Sequence, residues 1–157
     1  MISSAELEHR MEHFRARCAA LGLAYTHQRM VIYRALAGTD AHPTPEAVYE
    51  QVKREIPAIS LGTVYKNIHT FTEAGLLREV NLLHESLRLD ANLGNHHHFV
   101  CVRCKSVTDI PERDIGPLHL RQPLPEGYVL QRAVAELLGV CARCAGSEDV
   151  ISTASSQ

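Results

Sequence analysis

Residues 60–90 read SLGTVYKNIHTFTEAGLLREVNLLHESLRLD, and the texture changes once inside them, at Gly75. Before it, Ser60 can cap a helix over residues 61–74, with Val64, Ile68 and Phe71 on its core-facing side. Gly75 suits the left-handed residue that closes such a helix. After it, residues 76–83 and 87–89 are strand-like and flank the polar turn His84-Glu85-Ser86, which predicts a hairpin. Helices followed by a hairpin make a winged helix, and there the helix before the wing enters the major groove of DNA.

Toward the N-terminus the pattern is helical. A first helix is expected over residues 5–21, ending at Gly22. Thr26 caps a second through about residue 37, stopped by Gly38. Thr44-Pro45-Glu46 is a cap followed by proline at the first helical position, opening a third helix to about residue 56. Toward the C-terminus, Ala91-Asn92-Leu93-Gly94-Asn95 reads as a linker. Strands are expected at 96–101, 106–110 and 129–140, the last long enough for a bulge, or a helix instead. The prolines between 111 and 128 leave room for one helix. Residues 147–157 are small and polar, and are expected to be disordered. The expected fold is α+β: a winged-helix domain at 1–89, a hinge at 90–95 and a small α/β dimerisation domain at 96–146.

The 157 residues suit one ordinary domain or two small ones, with 45% hydrophobic and 22% charged residues. The N-terminus is polar rather than signal-like and no apolar run reaches bilayer length, so a soluble cytoplasmic protein is expected. The formal charge is −2. Through Glu79, nine Lys/Arg face nine Asp/Glu. A DNA-binding surface would therefore be a local patch rather than a global basic charge.

Five cysteines in such a chain favour metal ligands over disulfides. Cys18 stands alone in the first helix and reads as a small buried hydrophobe. Cys101 and Cys104, and Cys141 and Cys144, form two C-x-x-C pairs. Each pair spans about one edge of a tetrahedron, and together they complete a closed structural Zn²⁺ shell with no position left for catalysis. A redox dithiol would need a strand-to-helix context that is absent here.

His96-His97-His98 lies just before the first pair. On a strand, His96 and His98 face one way, while His97, Phe99 and Cys101 face the other. The two histidines are thus turned from the thiolates and are free to serve a different ion. His42, Asp90 and Asp109 are further loop or strand-end donors, which spacing alone does not gather.

The segments Thr26-His27-Gln28-Arg29, Ala41-His42-Pro43-Thr44, Ser60 to Ile68, Arg88-Leu89-Asp90, the His/Cys cluster at 96–104 and Cys141-Ala142-Arg143-Cys144 resemble a ferric-uptake-regulator family repressor. The resemblance covers residues 23–144. It implies a winged helix, an α/β dimerisation domain and a regulatory metal at the hinge, held by His42, Asp90, His96, His98 and Asp109. Imidazoles with carboxylates suit Fe²⁺ or Mn²⁺. Aspartate at positions 90 and 109 resembles the peroxide-sensing branch, whereas iron-uptake regulators typically carry glutamate, and the zinc-uptake branch usually adds a cysteine that is missing here. A further metal site of some iron regulators is not matched, because Asn95 and His97 occupy two of its places.

The resemblance further implies a homodimer on a palindromic double-stranded DNA operator. Metal would favour the DNA-binding arrangement, and oxidation of a ligand histidine, His42 or His96, would release it. Tyr65 takes the place of a base-contacting tyrosine. Ser60, Thr63, Lys66 and Arg29 are candidate phosphate contacts. Three readings remain open: a peroxide sensor, an iron-responsive regulator of iron uptake, and, from another class, a His/Asp metalloenzyme. A zinc-stapled module without DNA binding is a further alternative.

Overall fold

The computed structural model describes residues 2–82 and 86–146. It divides into two compact units, Met1–Gly94 and Asn95–Gln157. The expected turn tip His84-Glu85 and the tail 147–157 lie outside the described residues.

Met1–Gly94 contains α1 (Ser4–Ala20), α2 (His27–Ala37), α3 (Pro45–Lys53) and α4 (Leu61–Glu73), then the antiparallel pair β1 (Arg78–Leu82) and β2 (Ser86–Asp90). The side chains of Ser3, Thr26, Thr44 and Ser60 each accept the amide three residues on, satisfying a donor that a helix start leaves open. Gly22 and Gly75 take φ of +66° and +67°, where a side chain would be strained. The third helix stops three residues short of expectation. There Arg54 and Glu55 bond back three residues, to the Gln51 and Val52 carbonyls, tightening the chain ahead of Pro57.

The core of this unit is aromatic at its centre. Phe14 stacks on Tyr33 at 4.1 Å between ring centroids, and Phe71 meets both edge-on at 5.3 and 5.6 Å. Val64, Ile68 and Phe71 face this core, as their spacing predicts, and Cys18 is fully buried beside them. Two arginines of α1 reach the ends of other helices: Arg10 donates to the Ala37 carbonyl and Arg17 to the Ala74 carbonyl. A cation there offsets the negative end of each helix. The buried Leu89 joins β2 to the same core, and its amide donates to the Pro43 carbonyl at 3.0 Å. That bond sets the end of the wing strand beside the loop carrying His42.

Asn95–Gln157 is built on a three-stranded sheet in the order β4-β3-β5, from β3 (His96–Cys101), β4 (Val107–Pro111) and β5 (Glu136–Gly139). β3 runs antiparallel to β4 and parallel to β5. Two short helices, α5 (Glu112–Ile115) and α6 (Ala142–Ala145), complete the described elements. The strand expected over 129–140 is corrected to four residues, since β5 pairs with β3 only from His98 to Cys101, where β3 ends. Gly139 lies so close to Phe99 that a Cβ there would stand 2.8 Å from its ring. No helix of the described residues is long and apolar enough to cross a membrane.

Candidate metal centres and recognition helix

β3 ends in Cys101, and the turn after it, closed by the Lys105 amide donating to the Cys101 carbonyl at 2.9 Å, brings Cys104 back. β5 leads to Cys141, and α6 carries Cys144. All four sulfurs lie within 4.8 Å of one another, and Cys104 and Cys141 stand 3.7 Å apart. Zinc–thiolate bonds of about 2.3 Å set at tetrahedral angles require a sulfur–sulfur edge of about 3.8 Å. The donor set fits zinc in number, chemistry and spacing.

The electrostatics point the same way. The Cys141 amide donates to Cys101 Sγ at 3.3 Å and, as the largest of several such bonds, helps pull that thiol down to about 6. Ser106 holds Cys104 below the usual thiol range as well. Cys144, crowded by Cys104 and Cys141, is pushed up to about 12. Four thiolates repel one another, and a divalent cation among them removes that conflict. Arg103, between the first two cysteines, donates to the Cys144 carbonyl at 2.9 Å and closes one knuckle over the other.

The other face of β3 carries different chemistry. His98 stands opposite Asp109 across the β3–β4 ladder, and His96 follows two residues away on the same face. Their Nε2 atoms converge to 3.1 Å, and Asp109 lies 3.7 and 3.8 Å from His96 and His98. Neighbouring donors on an ion with bonds near 2.1 Å sit about 3 Å apart, so the imidazole pair already has the spacing of adjacent ligands. Both histidines are at least 96% buried. His97 points the other way, where its Nδ1 accepts the Ala135 amide at 3.1 Å and staples the approach to β5.

Met1–Gly94 holds a second donor pair. His42 adopts φ +48°, a left-handed conformation that costs a non-glycine residue about 1 kcal/mol or more. It is held there by Arg88, which donates to its carbonyl, and by its own Nδ1, which donates to the Asp40 carbonyl at 3.0 Å. That bond leaves the lone pair on Nε2, the tautomer a metal-binding imidazole requires. His42 Nε2 lies 3.9 Å from Asp90 Oδ1, with both side chains buried. Thus the structure brings His42 to Asp90, and His96 and His98 to Asp109.

The candidate DNA contacts sit on α4 and the start of α2. Tyr65 is 41% exposed, and Lys66 is exposed beside it. Ser60 and Thr63 are engaged with each other, Oγ to Oγ1 at 2.9 Å, while Ser60 also caps the helix. Arg29 donates to the Asn67 side chain at 3.3 Å and to the Ala24 carbonyl at 2.7 Å, so it also braces α2 against α4. Two residues escaped the sequence reading. Asn67 receives Arg29 and donates to the Thr63 carbonyl at 2.8 Å; a polar residue on the apolar side of a helix was the available signal. Glu46 accepts the Tyr65 hydroxyl at 2.5 Å, which raises the phenol's pKa, and no spacing rule links them.

The sequence and the fold both have relatives among known proteins. The model of the ferric uptake regulator family matches residues 20–134. The peroxide-responsive repressor PerR of Staphylococcus aureus strain Mu50 is 30% identical over 139 residues, covering 88% of this chain and 93% of that one. The Campylobacter jejuni peroxide stress regulator superposes with a TM-score of 0.58 at 28% identity, covering 74% of this chain and 88% of that one. The Helicobacter pylori ferric uptake regulator, a protein with three functional metal binding sites, superposes with a TM-score of 0.65 at 16% identity, covering 88% and 93%.

Proposed function

The chain belongs to the ferric uptake regulator family, and on that premise we propose that it is a metal-dependent, peroxide-responsive repressor acting in the cytoplasm. Family membership makes it a metalloregulator of transcription rather than an enzyme. In this reading His42, Asp90, His96, His98 and Asp109 serve one regulatory ion, Fe²⁺ or Mn²⁺. Cys101, Cys104, Cys141 and Cys144 hold a structural Zn²⁺. The observation that carries the proposal is the segregation of donors: His96, His98 and Asp109 together on one face of the β3–β4 pair, and four thiolates gathered where β3 ends. Such sets select different metals, so the two ions need not compete. The aspartates, and the likeness to a peroxide-responsive repressor, favour peroxide over iron as the signal.

When bound, Fe²⁺ would supply the electron chemistry that activates hydrogen peroxide. The chain supplies the target. The net change is transfer of one oxygen from peroxide to an imidazole carbon, with water as the other product, and the altered ring ligates poorly. Mass spectrometry of the Fe²⁺ form after peroxide should find an added oxygen on His42, His96 or His98. The Mn²⁺ form should stay unmodified while still binding DNA in a gel-shift assay at low salt. Unmodified histidines in the Fe²⁺ form would sink the peroxide reading, and absence of Mn²⁺-dependent DNA binding would sink the regulator reading.

In the same proposal, Tyr65 reads bases from α4 and Lys66 neutralises a phosphate. Tyr65→Ala should cost about 1–3 kcal/mol of operator affinity while leaving affinity for random duplex nearly unchanged. Equal losses on both duplexes would make Tyr65 a backbone contact. The operator is palindromic because the protein is a homodimer, joined through Asn95–Gln157. Support for that interface comes from Leu120, Leu138 and Val129, exposed at 57%, 57% and 84%, and from β5 at the sheet edge. Leu138→Asp should shift sedimentation from twice the chain mass toward the monomer. An unchanged dimer would place the interface elsewhere.

A further inference from the structure

Arg78 opens β1 and stands directly across the hairpin from Asp90, the last residue of β2. Residues paired in this way present their side chains on one face. The Arg78 guanidinium reaches past that position to the segment that follows β2. One terminal nitrogen donates to the carbonyls of Asn92 at 3.3 Å and Gly94 at 3.0 Å, and the other to the carbonyl of Leu93 at 2.6 Å. Three successive carbonyls are therefore gathered on one cation.

The amides of the same segment are taken by side chains. Asp90 Oδ1 accepts the Asn92 amide at 2.7 Å, and Asn92 Oδ1 accepts the Gly94 amide at 3.1 Å. Each is a local turn in which a short side chain replaces a backbone partner. The five bonds depend on one another. If Arg78 lets the carbonyls go, the segment can unwind, and the Asn92 amide leaves the Asp90 carboxylate.

We propose that Arg78 is a positioning residue for the regulatory metal: by clamping residues 92–94 it keeps the Asn92 amide on Asp90 and so holds that carboxylate in its ligating orientation before the ion arrives. The inference rests on the reading of Asp90 as a ligand. Arg78 itself touches no metal. Its effect comes from fixing a ligand's rotation, the role that outer partners of metal ligands play, and loss of such a partner typically weakens metal binding 10- to 100-fold.

The opposing effect is charge. A guanidinium near the site repels a divalent cation, so its removal by itself would tighten binding. The proposal holds that orientation outweighs repulsion, and this fixes the sign of the test. Arg78→Met and Arg78→Lys are prepared in the full-length, zinc-loaded protein. Mn²⁺ affinity is measured from the paramagnetic resonance of the free ion, and amide hydrogen exchange is measured without Mn²⁺. Arg78→Met should weaken Mn²⁺ binding about 10-fold or more and speed exchange of the Asn92 and Gly94 amides by a similar factor. Arg78→Lys keeps the charge and three donors but loses the planar fork, and should fall between wild type and Arg78→Met.

Unchanged exchange at Asn92 and Gly94 in Arg78→Met would overturn the clamp. Faster exchange with equal or tighter Mn²⁺ binding would reduce Arg78 to a structural residue and equally overturn the proposal. A wild-type protein that binds no Mn²⁺ would instead defeat the regulatory-metal reading on which the inference stands.

Discussion

Replacing Cys104 or Cys144 with serine is expected to empty the thiolate site and melt Asn95–Gln157, while Met1–Gly94 keeps its helices. The asymmetry follows from where the apolar core lies. Every member of the large buried cluster, from Phe14 to Ala91, belongs to Met1–Gly94. Among the described residues, the other unit buries only Val100, Cys101 and Val107 as apolar side chains. A structural zinc contributes roughly 10–16 kcal/mol of binding free energy, comparable with or larger than the roughly 5–15 kcal/mol that stabilises a whole domain. Elemental analysis should fall from one zinc per chain to almost none. Tryptic digestion should then cut within residues 95–146 and spare α1–α4. A serine variant that keeps its zinc, or loses it and stays resistant, would refute the structural role of the thiolates.

Loss of any one His/Asp donor should be nearly as severe for the response and almost silent for the fold. His96→Ala or Asp109→Ala is expected to weaken Mn²⁺ binding by about 100-fold or more, since removing a ligand should exceed the upper end of what removing an outer partner does. Mn²⁺-dependent DNA binding should disappear with it, and zinc content should not change. His42→Ala carries the most information, because it alters the donor pair of Met1–Gly94 and nothing in the sheet of Asn95–Gln157. If it weakens Mn²⁺ as much as His96→Ala does, one ion draws on both units. If titration gives the wild-type affinity, the two donor sets serve separate purposes and the proposed coupling of metal to DNA binding is lost.

Much of this architecture was legible in the sequence because it is set by local rules. Thr26, Thr44 and Ser60 announce helix starts through their own hydroxyls, and Gly22 and Gly75 announce ends through their backbone freedom. Alternation along β3 was enough to put His96 with His98 and away from Cys101. Asp109 was different. It meets His98 only through the β3–β4 register, and that register is a property of two segments together. The apolar run at 129–140 misled for a similar reason, since a strand extends only as far as it is paired, and β5 pairs with β3 over four residues. The Arg78 clamp and the Glu46–Tyr65 bond join residues 14 to 19 apart by side-chain reach, beyond any periodicity.

The histidine run itself is ambiguous as an address. Sliding β3 by one residue along β4 would set His97 opposite Asp109, and sliding by two would set His96 there, with an imidazole in place each time. Nothing in three identical residues marks which is the middle one. Cys101 does, because it is the one position on β3 whose displacement would break the thiolate set. A zinc held there would thus be an index pin for the sheet: it would remove a degeneracy that the imidazoles cannot resolve among themselves. Refolding of Asn95–Gln157 should therefore give the single native set of histidine signals only once zinc has been added.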